Sequence, residues 1–198
     1  MGEIDFFLFK VIAKSHFLMY KIAILGPEST GKTELAMSLS AYYHSPWVPE
    51  YAREYVEKLT ERYTFDDVCN IARKQIELEI EFENKETDYK FVFFDTDLII
   101  TKVWFEYCYK NVPDFVTTRL KKGFFDLYLL CEPDLPWEPD WVREHGKDRD
   151  FFFDWYKREI EQTGIHCVNV NGKGNQRSMN AINAINQLFF NEKTLQNI

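Results

Sequence analysis

The chain has 198 residues, 45% of them hydrophobic, which is enough for one domain with a full core. Thirty-two acidic residues against 24 Lys and Arg give a net charge of −8, which favours solubility and argues against a nucleic-acid partner. Cys69, Cys108, Cys131 and Cys167 are far apart and show no C-x-x-C or Cys/His ligand spacing. They read as reduced thiols of a cytoplasmic protein, and His16, His44, His145 and His166 form no ligand pattern either.

Residues 1–18 contain the apolar run Phe6-Phe7-Leu8-Phe9, but Glu3 and Asp5 stand where a signal peptide carries positive charge. Lys10 and Lys14 interrupt the run, no small-residue cleavage site follows, and the segment is too short to span a bilayer. It is expected to be an extension outside the functional fold, read from an upstream start codon. A weakly membrane-contacting amphipathic helix is the alternative, and no stable membrane association is expected.

Tyr20 to Leu25 reads as a buried strand. Gly26-Pro27-Glu28-Ser29-Thr30-Gly31-Lys32-Thr33 follows, matching G-x-x-x-x-G-K-[ST] at every fixed position, and Thr33 to Tyr43 reads as a helix. Strand, glycine loop and helix are the context in which that motif binds a nucleoside triphosphate. Glycines let successive N–H groups point at phosphate oxygens, Lys32 reaches the β/γ-phosphates, and the Thr33 hydroxyl can ligate Mg²⁺. The nucleotide set is thus Gly26, Glu28, Ser29, Thr30, Gly31, Lys32 and Thr33.

Pro46 and Pro49 confine the next strand, around Trp47 and Val48, to a sheet edge, and a helix runs from Glu50 to Leu59. Thr64 caps a helix expected to continue to about Thr87. Phe91 to Phe94 is a strand buried on both faces and ending in Asp95, followed by helices at Leu98–Tyr109 and Asp114–Lys122. Asp126 to Cys131 is the fourth strand, and Pro133, Pro136 and Pro139 break the loop to Trp141. The charged segment Arg143 to Asp150 leads into a helix ending near Gln162. His166 to Val170 is the last strand, Gln176 to Phe190 the closing helix, and residues 191–198 are expected to fray. The expected division is therefore extension 1–18, functional domain 19–190 and tail 191–198.

Strands alternating with helices imply an α/β fold of three layers, a mainly parallel five-stranded sheet covered on both faces. Ligands of such sheets lie beyond the carboxyl ends of the strands, which collects Glu50, Asp95, Asp97, Glu132 and Asn171 into one crevice, Asn171 on the nucleotide side. Asp95 stands where a triphosphate site needs an acid for Mg²⁺. Asp97, two residues on, faces the same side if the chain stays extended, or else caps the next helix. Both Glu50 and Asp97 are candidate bases for a hydroxyl acceptor, and their order is open. Trp47, Tyr51 and Arg53 suit an aromatic ring bearing sugar hydroxyls; Trp104 and Tyr107 either flank that ring or pack the core. Arg143, Lys147 and Arg149 are candidates for a lid over the transferring phosphoryl group, with Gly146 as a source of flexibility.

Gly26 to Thr33, Glu50-Tyr51-Ala52-Arg53, Phe94-Asp95-Thr96-Asp97, Pro136-Trp137, Arg143 and Asp148-Arg149 occur in one order. Together they resemble the ribosylnicotinamide kinase domain of NadR-type NAD-salvage proteins and related stand-alone P-loop ATPases. The resemblance covers residues 20 to about 190. It implies a nucleoside-kinase-like P-loop fold with a lid, and ATP- and Mg²⁺-dependent phosphorylation of the ribose 5′-hydroxyl of nicotinamide riboside. It implies that Trp47, Tyr51 and Arg53 line the nucleoside pocket, and that Asp95 and Asp97 serve metal and acceptor. No H-x-G-H adenylyltransferase signature or DNA-binding helix-turn-helix is present in the chain, so neither dinucleotide synthesis nor transcriptional control is carried over. Two alternatives stand: a regulatory nucleotide switch without acceptor, and a kinase for another nucleoside. Cys131-Glu132-Pro133-Asp134 replaces the Asn-Lys-x-Asp that reads guanine in Ras-like GTPases.

Overall fold

A computed structural model describes residues 19–190 apart from residues 84, 86, 141, 144 and 145. The expected extension 1–18 and tail 191–198 lie outside the described residues, as do His145 and Glu144 of the expected lid and Trp141 before it.

Five parallel strands form one sheet in the order β2-β3-β1-β4-β5. They are β1 (Tyr20–Leu25), β2 (Trp47–Val48), β3 (Phe91–Asp95), β4 (Leu127–Cys131) and β5 (Cys167–Val170). The helices are α1 (Lys32–Tyr43), α2 (Tyr51–Glu57), α3 (Phe65–Glu83), α4 (Leu98–Tyr109), α5 (Asp114–Lys122), α6 (Arg149–Thr163) and α7 (Asn175–Phe189). The chain leaves β1 towards β2 and β3 on one side and reaches β4 and β5 on the other. The crevice at such a reversal is where open parallel sheets bind ligands, and the glycine loop after β1 opens into it.

Period-two alternation sorts the strand residues onto two faces. Ile22, Ile24, Phe91, Phe93, Leu127 and Leu129 pack against Leu35, Ala36 and Leu39 of α1 and Ala181, Ile182 and Ile185 of α7. Ala23, Leu25, Val92, Phe94, Tyr128 and Leu130 pack against Ile99 and Val103 of α4 and Phe152, Tyr156 and Ile160 of α6. Covered on both sides, β3 and β4 read as continuous apolar runs because no residue in them meets water. A third cluster, Val68, Cys69, Ala72, Leu98, Phe105 and Val116, joins α3, α4 and α5.

Helix α3 ends at Glu83 rather than near Thr87, and Glu83 there accepts hydrogen bonds from Arg119 at 2.9 Å and Lys122 at 3.0 Å. At its start, Thr64 Oγ1 accepts from the Asp67 N–H, and Asp67 accepts from the Thr64 N–H and from the Tyr55 hydroxyl at 2.8 Å, which fixes α2 against α3. No helix among the described residues is long and apolar enough to cross a membrane.

Candidate active site

The loop between β1 and α1 is built around close backbone approach. A Cβ on Gly26 would fall 2.7 Å from the Cys131 carbonyl oxygen and 2.8 Å from Thr30 Oγ1, so only glycine fits where the loop crosses the end of β4. The buried Thr30 hydroxyl donates to the Pro27 carbonyl at 2.8 Å, and Lys32 Nζ donates to the same oxygen at 3.2 Å. Gly31 sits in the left-handed region at φ 72° and opens α1, whose first N–H groups face the crevice as an anion site. Thr33 Oγ1 donates to Asp95 Oδ2 at 2.6 Å. Asp95 Oδ1 is buried without a hydrogen-bond partner, and burial raises the carboxyl above its usual range against the pull of Lys32 and Thr33. A hydroxyl and a carboxylate with an unspent oxygen form a donor set that fits Mg²⁺ shared with a bound phosphate.

The loop opens into a pocket of about 570 Å³, within the range of small-molecule sites. Residues 26–34 form its floor, with Glu50, Arg53 and Val56 from the α2 side and Ile100, Trp104 and Tyr107 from α4. Tyr63, Phe152 and Tyr156 complete an aromatic wall, with Tyr63 edge-on to Trp104 at 4.6 Å between ring centres. Leu135, Pro136, Glu138, Val142 and Arg143 form the rim after β4. Glu50 precedes α2 in extended conformation, makes no side-chain cap hydrogen bond and lines the pocket. Loss of water raises its pKa; Lys32 and Arg53 oppose that rise, and Asp95 and Glu28 add to it.

Asp97 does not share the side of Asp95. Thr96 takes φ 86°, which interrupts the extended alternation, and Asp97 becomes the N-cap of α4, accepting from the Ile99 N–H at 2.8 Å. It is only 2% exposed and is not among the pocket-lining residues. Burial, with Glu79 beside it, pushes its pKa up to about 7. The Tyr128 hydroxyl lies close enough to favour its charge without reaching hydrogen-bond geometry at Oδ2. Glu79 is likewise raised to about 7 by burial, although Arg119 Nε donates to it at 2.6 Å.

Other expected site residues also fall elsewhere. Trp47 pairs with Phe93 across β2 and β3 and packs into the α1/α7 face, because period two turns it away from the pocket. The Tyr51 ring lies 6.0 Å from the Tyr55 ring along α2, outside the lining set. Arg149 opens α6 and donates to the Leu135 carbonyl at 2.8 Å, bracing the rim rather than lining it. Asn171 accepts two hydrogen bonds from Asn180 at 3.0 and 3.1 Å and does not line the pocket. Lys147 is exposed, and Gly146 serves close packing instead of flexibility: a Cβ there would meet the Trp137 indole at 2.5 Å. Trp137 Nε1 in turn donates to Glu28 at 3.4 Å, and Ser29 Oγ accepts from the Glu138 N–H at 3.1 Å, so the rim is tied to the glycine loop.

Sequence reading missed Tyr63, Phe152, Tyr156, Asp140 and Arg177. Arg177, only 4% exposed, donates to the Val170, Gly172 and Glu132 carbonyls and pairs with Asp134, joining the loops after β4 and β5. An arginine three residues after a glycine turn was a weak signal of such a tie. The aromatic residues carried none, since each sits on a helix or loop remote in sequence from the motif.

The Trifunctional NAD biosynthesis/regulator protein NadR of Escherichia coli (strain K12) is 28% identical over 163 residues, covering 78% of this chain and 38% of that protein. The chain thus spans about two fifths of the length of that curated relative. A crystal structure of NadR protein in complex with NR superposes with a TM-score of 0.65 at 24% identity, covering 85% of this chain and 49% of the other. A deoxyadenosine kinase from M. mycoides, with products bound, superposes with a TM-score of 0.55 at 14% identity, covering 85% of this chain and all (100%) of the other. These likenesses show a P-loop kinase fold. A family model described as an AAA domain matches residues 21–177, most of the described chain, and the protein belongs to that family.

Proposed function

We propose that this chain is an ATP- and Mg²⁺-dependent small-molecule kinase that phosphorylates the ribose 5′-hydroxyl of nicotinamide riboside, giving nicotinamide mononucleotide. The observation that carries the reading is Glu50: a pocket-facing carboxylate that caps no helix, set near Lys32 with an aromatic wall beyond it. A phosphate-binding loop alone would suit a switch. A facing carboxylate beside aromatic rings suits a hydroxyl acceptor carrying a planar base.

In this reading the glycine loop holds the triphosphate through its backbone N–H groups and the α1 N-terminus. Lys32 exchanges the Pro27 carbonyl for phosphate oxygens. Thr33 and Asp95 would hold Mg²⁺, which neutralises charge on the phosphates when bound. Glu50 accepts the proton of the ribose hydroxyl as the phosphoryl group arrives. Its raised pKa makes it a stronger base than a solvated carboxylate, and Lys32 and Arg53 oppose that rise by favouring the ionised form. Trp104, Tyr107 and Tyr63 receive the base, with Arg143 at the rim. Asp97 acts by capping α4, the helix that presents Ile100, Trp104 and Tyr107. Residues 19–190 would form the working domain. The resemblance to NadR, a relative that binds NR in its crystal structure, supports this choice of acceptor.

The test is ADP release from ATP and Mg²⁺ against a panel of ribonucleosides and deoxynucleosides. The reading expects turnover that depends on nicotinamide riboside. Turnover with deoxynucleosides alone would assign another nucleoside, and slow hydrolysis indifferent to every nucleoside would assign a switch.

A further inference from the structure

The pocket-lining cations among the described residues are Lys32 on the donor side and Arg53 and Arg143 beyond it. Neither arginine is at liberty. Arg53 Nη2 donates to Asp140 Oδ2 at 2.8 Å, and its Nε pairs with Glu57 at 2.9 Å. Arg143 Nε reaches the same Asp140 Oδ2 at 3.1 Å, and its Nη1 donates to the Glu138 carbonyl at 2.6 Å. The other oxygen of Asp140 accepts from the Val142 and Arg143 N–H groups at 3.0 and 3.1 Å, which fixes the carboxylate to its own turn. These contacts hold the Asp140 carboxyl below its usual range. Asp140 itself does not line the pocket. One carboxylate standing behind the wall therefore engages two guanidinium forks that would otherwise repel each other.

A guanidinium fork with free N–H groups is the side chain that best captures a phosphate. Here the forks are committed to carboxylates and a carbonyl. We propose that Asp140 is a specificity-determining positioning residue, which withholds the charge of Arg53 and Arg143 from the acceptor space, so that the site takes a nucleoside and discriminates against its 5′-phosphorylated form. The inference rests on the acceptor reading of this pocket. The same discrimination weakens the hold on a monophosphate product and hastens its release.

Asp140→Asn is nearly isosteric. It keeps an oxygen for the Val142 and Arg143 N–H groups and turns an NH₂ towards the arginines, which releases them. The full chain, saturated with Mg-ADP to fill the donor site, is titrated calorimetrically with nicotinamide mononucleotide and nicotinamide riboside, and in parallel with uridine monophosphate and uridine. One regained charge-assisted bond corresponds to about a tenfold or greater gain in monophosphate affinity, while nucleoside affinity changes less than about threefold. The gain should shrink at high salt, since the pairs are 22–40% exposed, and it should fall back in Asp140→Asn/Arg143→Gln. An unchanged or lower ratio of monophosphate to nucleoside affinity in a cooperatively melting Asp140→Asn overturns the inference. So does a variant that binds no monophosphate at all. Asp140→Ser, which keeps an acceptor for the turn, reads the same ratio if Asp140→Asn does not fold. Failure of nicotinamide riboside to bind overturns the proposed substrate instead, and the uridine pair still reports on Asp140.

Discussion

Replacing Glu50 by Gln removes a charge and almost nothing else. The side chain makes no cap hydrogen bond, so α2 should keep its start and the melting temperature should hold. General bases contribute roughly 10²- to 10⁴-fold. Phosphoryl transfer proceeds through a loose transition state in which the acceptor hydroxyl is little deprotonated, so the lower end applies. The expected loss in kcat is about 100-fold, or about 2.7 kcal/mol. Glu50 offsets part of the positive charge of Lys32, so its removal leaves ATP binding unchanged or slightly tighter. Because enclosure raises the Glu50 carboxyl, kcat/KM of the wild type should fall on acidification through a limb above the ordinary carboxylate range, and that limb should vanish in Glu50→Gln. Coupled ADP release, measured against pH at saturating and limiting nucleoside, reads all three quantities. A variant as fast as wild type, one that retains the acid limb, or one that loses ATP binding in step with rate would refute Glu50 as the base.

Asp97→Ala should cost about 1 kcal/mol, the value of a helix cap, lowering the melting temperature by roughly 2–4 °C and the rate by no more than about fivefold. A rate loss equal to that of Glu50→Gln at unchanged melting temperature would place Asp97 at the reacting atoms. Glu79 and Asp97 are both raised to about 7 in the folded chain, so the native state holds protons that the unfolded chain has released. Their contribution to stability is complete at acid pH, below the unfolded carboxylate values, and is lost as pH rises through about 7. Denaturant midpoints taken across that window should show the stability of wild type declining relative to Glu79→Gln as pH rises; a wild type that holds level with or gains on Glu79→Gln would contradict the buried pair.

Strands β1, β3 and β4, helices α4 and α5 and the glycine loop were legible because their signals are local. Uninterrupted apolar runs mark strands covered on both faces, and the loop's residue spacing follows from phosphate geometry. Glu50 was legible as a strand-end carboxylate, but its rank against Asp97 was not. That ranking turns on the positive φ of Thr96, a β-branched residue for which no sequence rule predicts the left-handed region. Trp47 looked like a pocket ring because it precedes Glu50, yet strand alternation sends it to the opposite layer. The roles of Asp140 and Gly146 depend on contacts between separate segments, with Arg53 and with Trp137, and such pairings are set only when the chain closes on itself.

The most direct measurement is transfer of the γ-phosphoryl group of labelled ATP to nicotinamide riboside, with the product identified as the 5′-monophosphate. Label should appear in nicotinamide mononucleotide with wild type and disappear with Lys32→Ala, which loses the Nζ bond to the Pro27 carbonyl and the charge near Glu50 and Asp95, and whose cooperative melting is measured alongside. Label found only in inorganic phosphate, at a rate indifferent to the nucleoside, would contradict the proposed kinase.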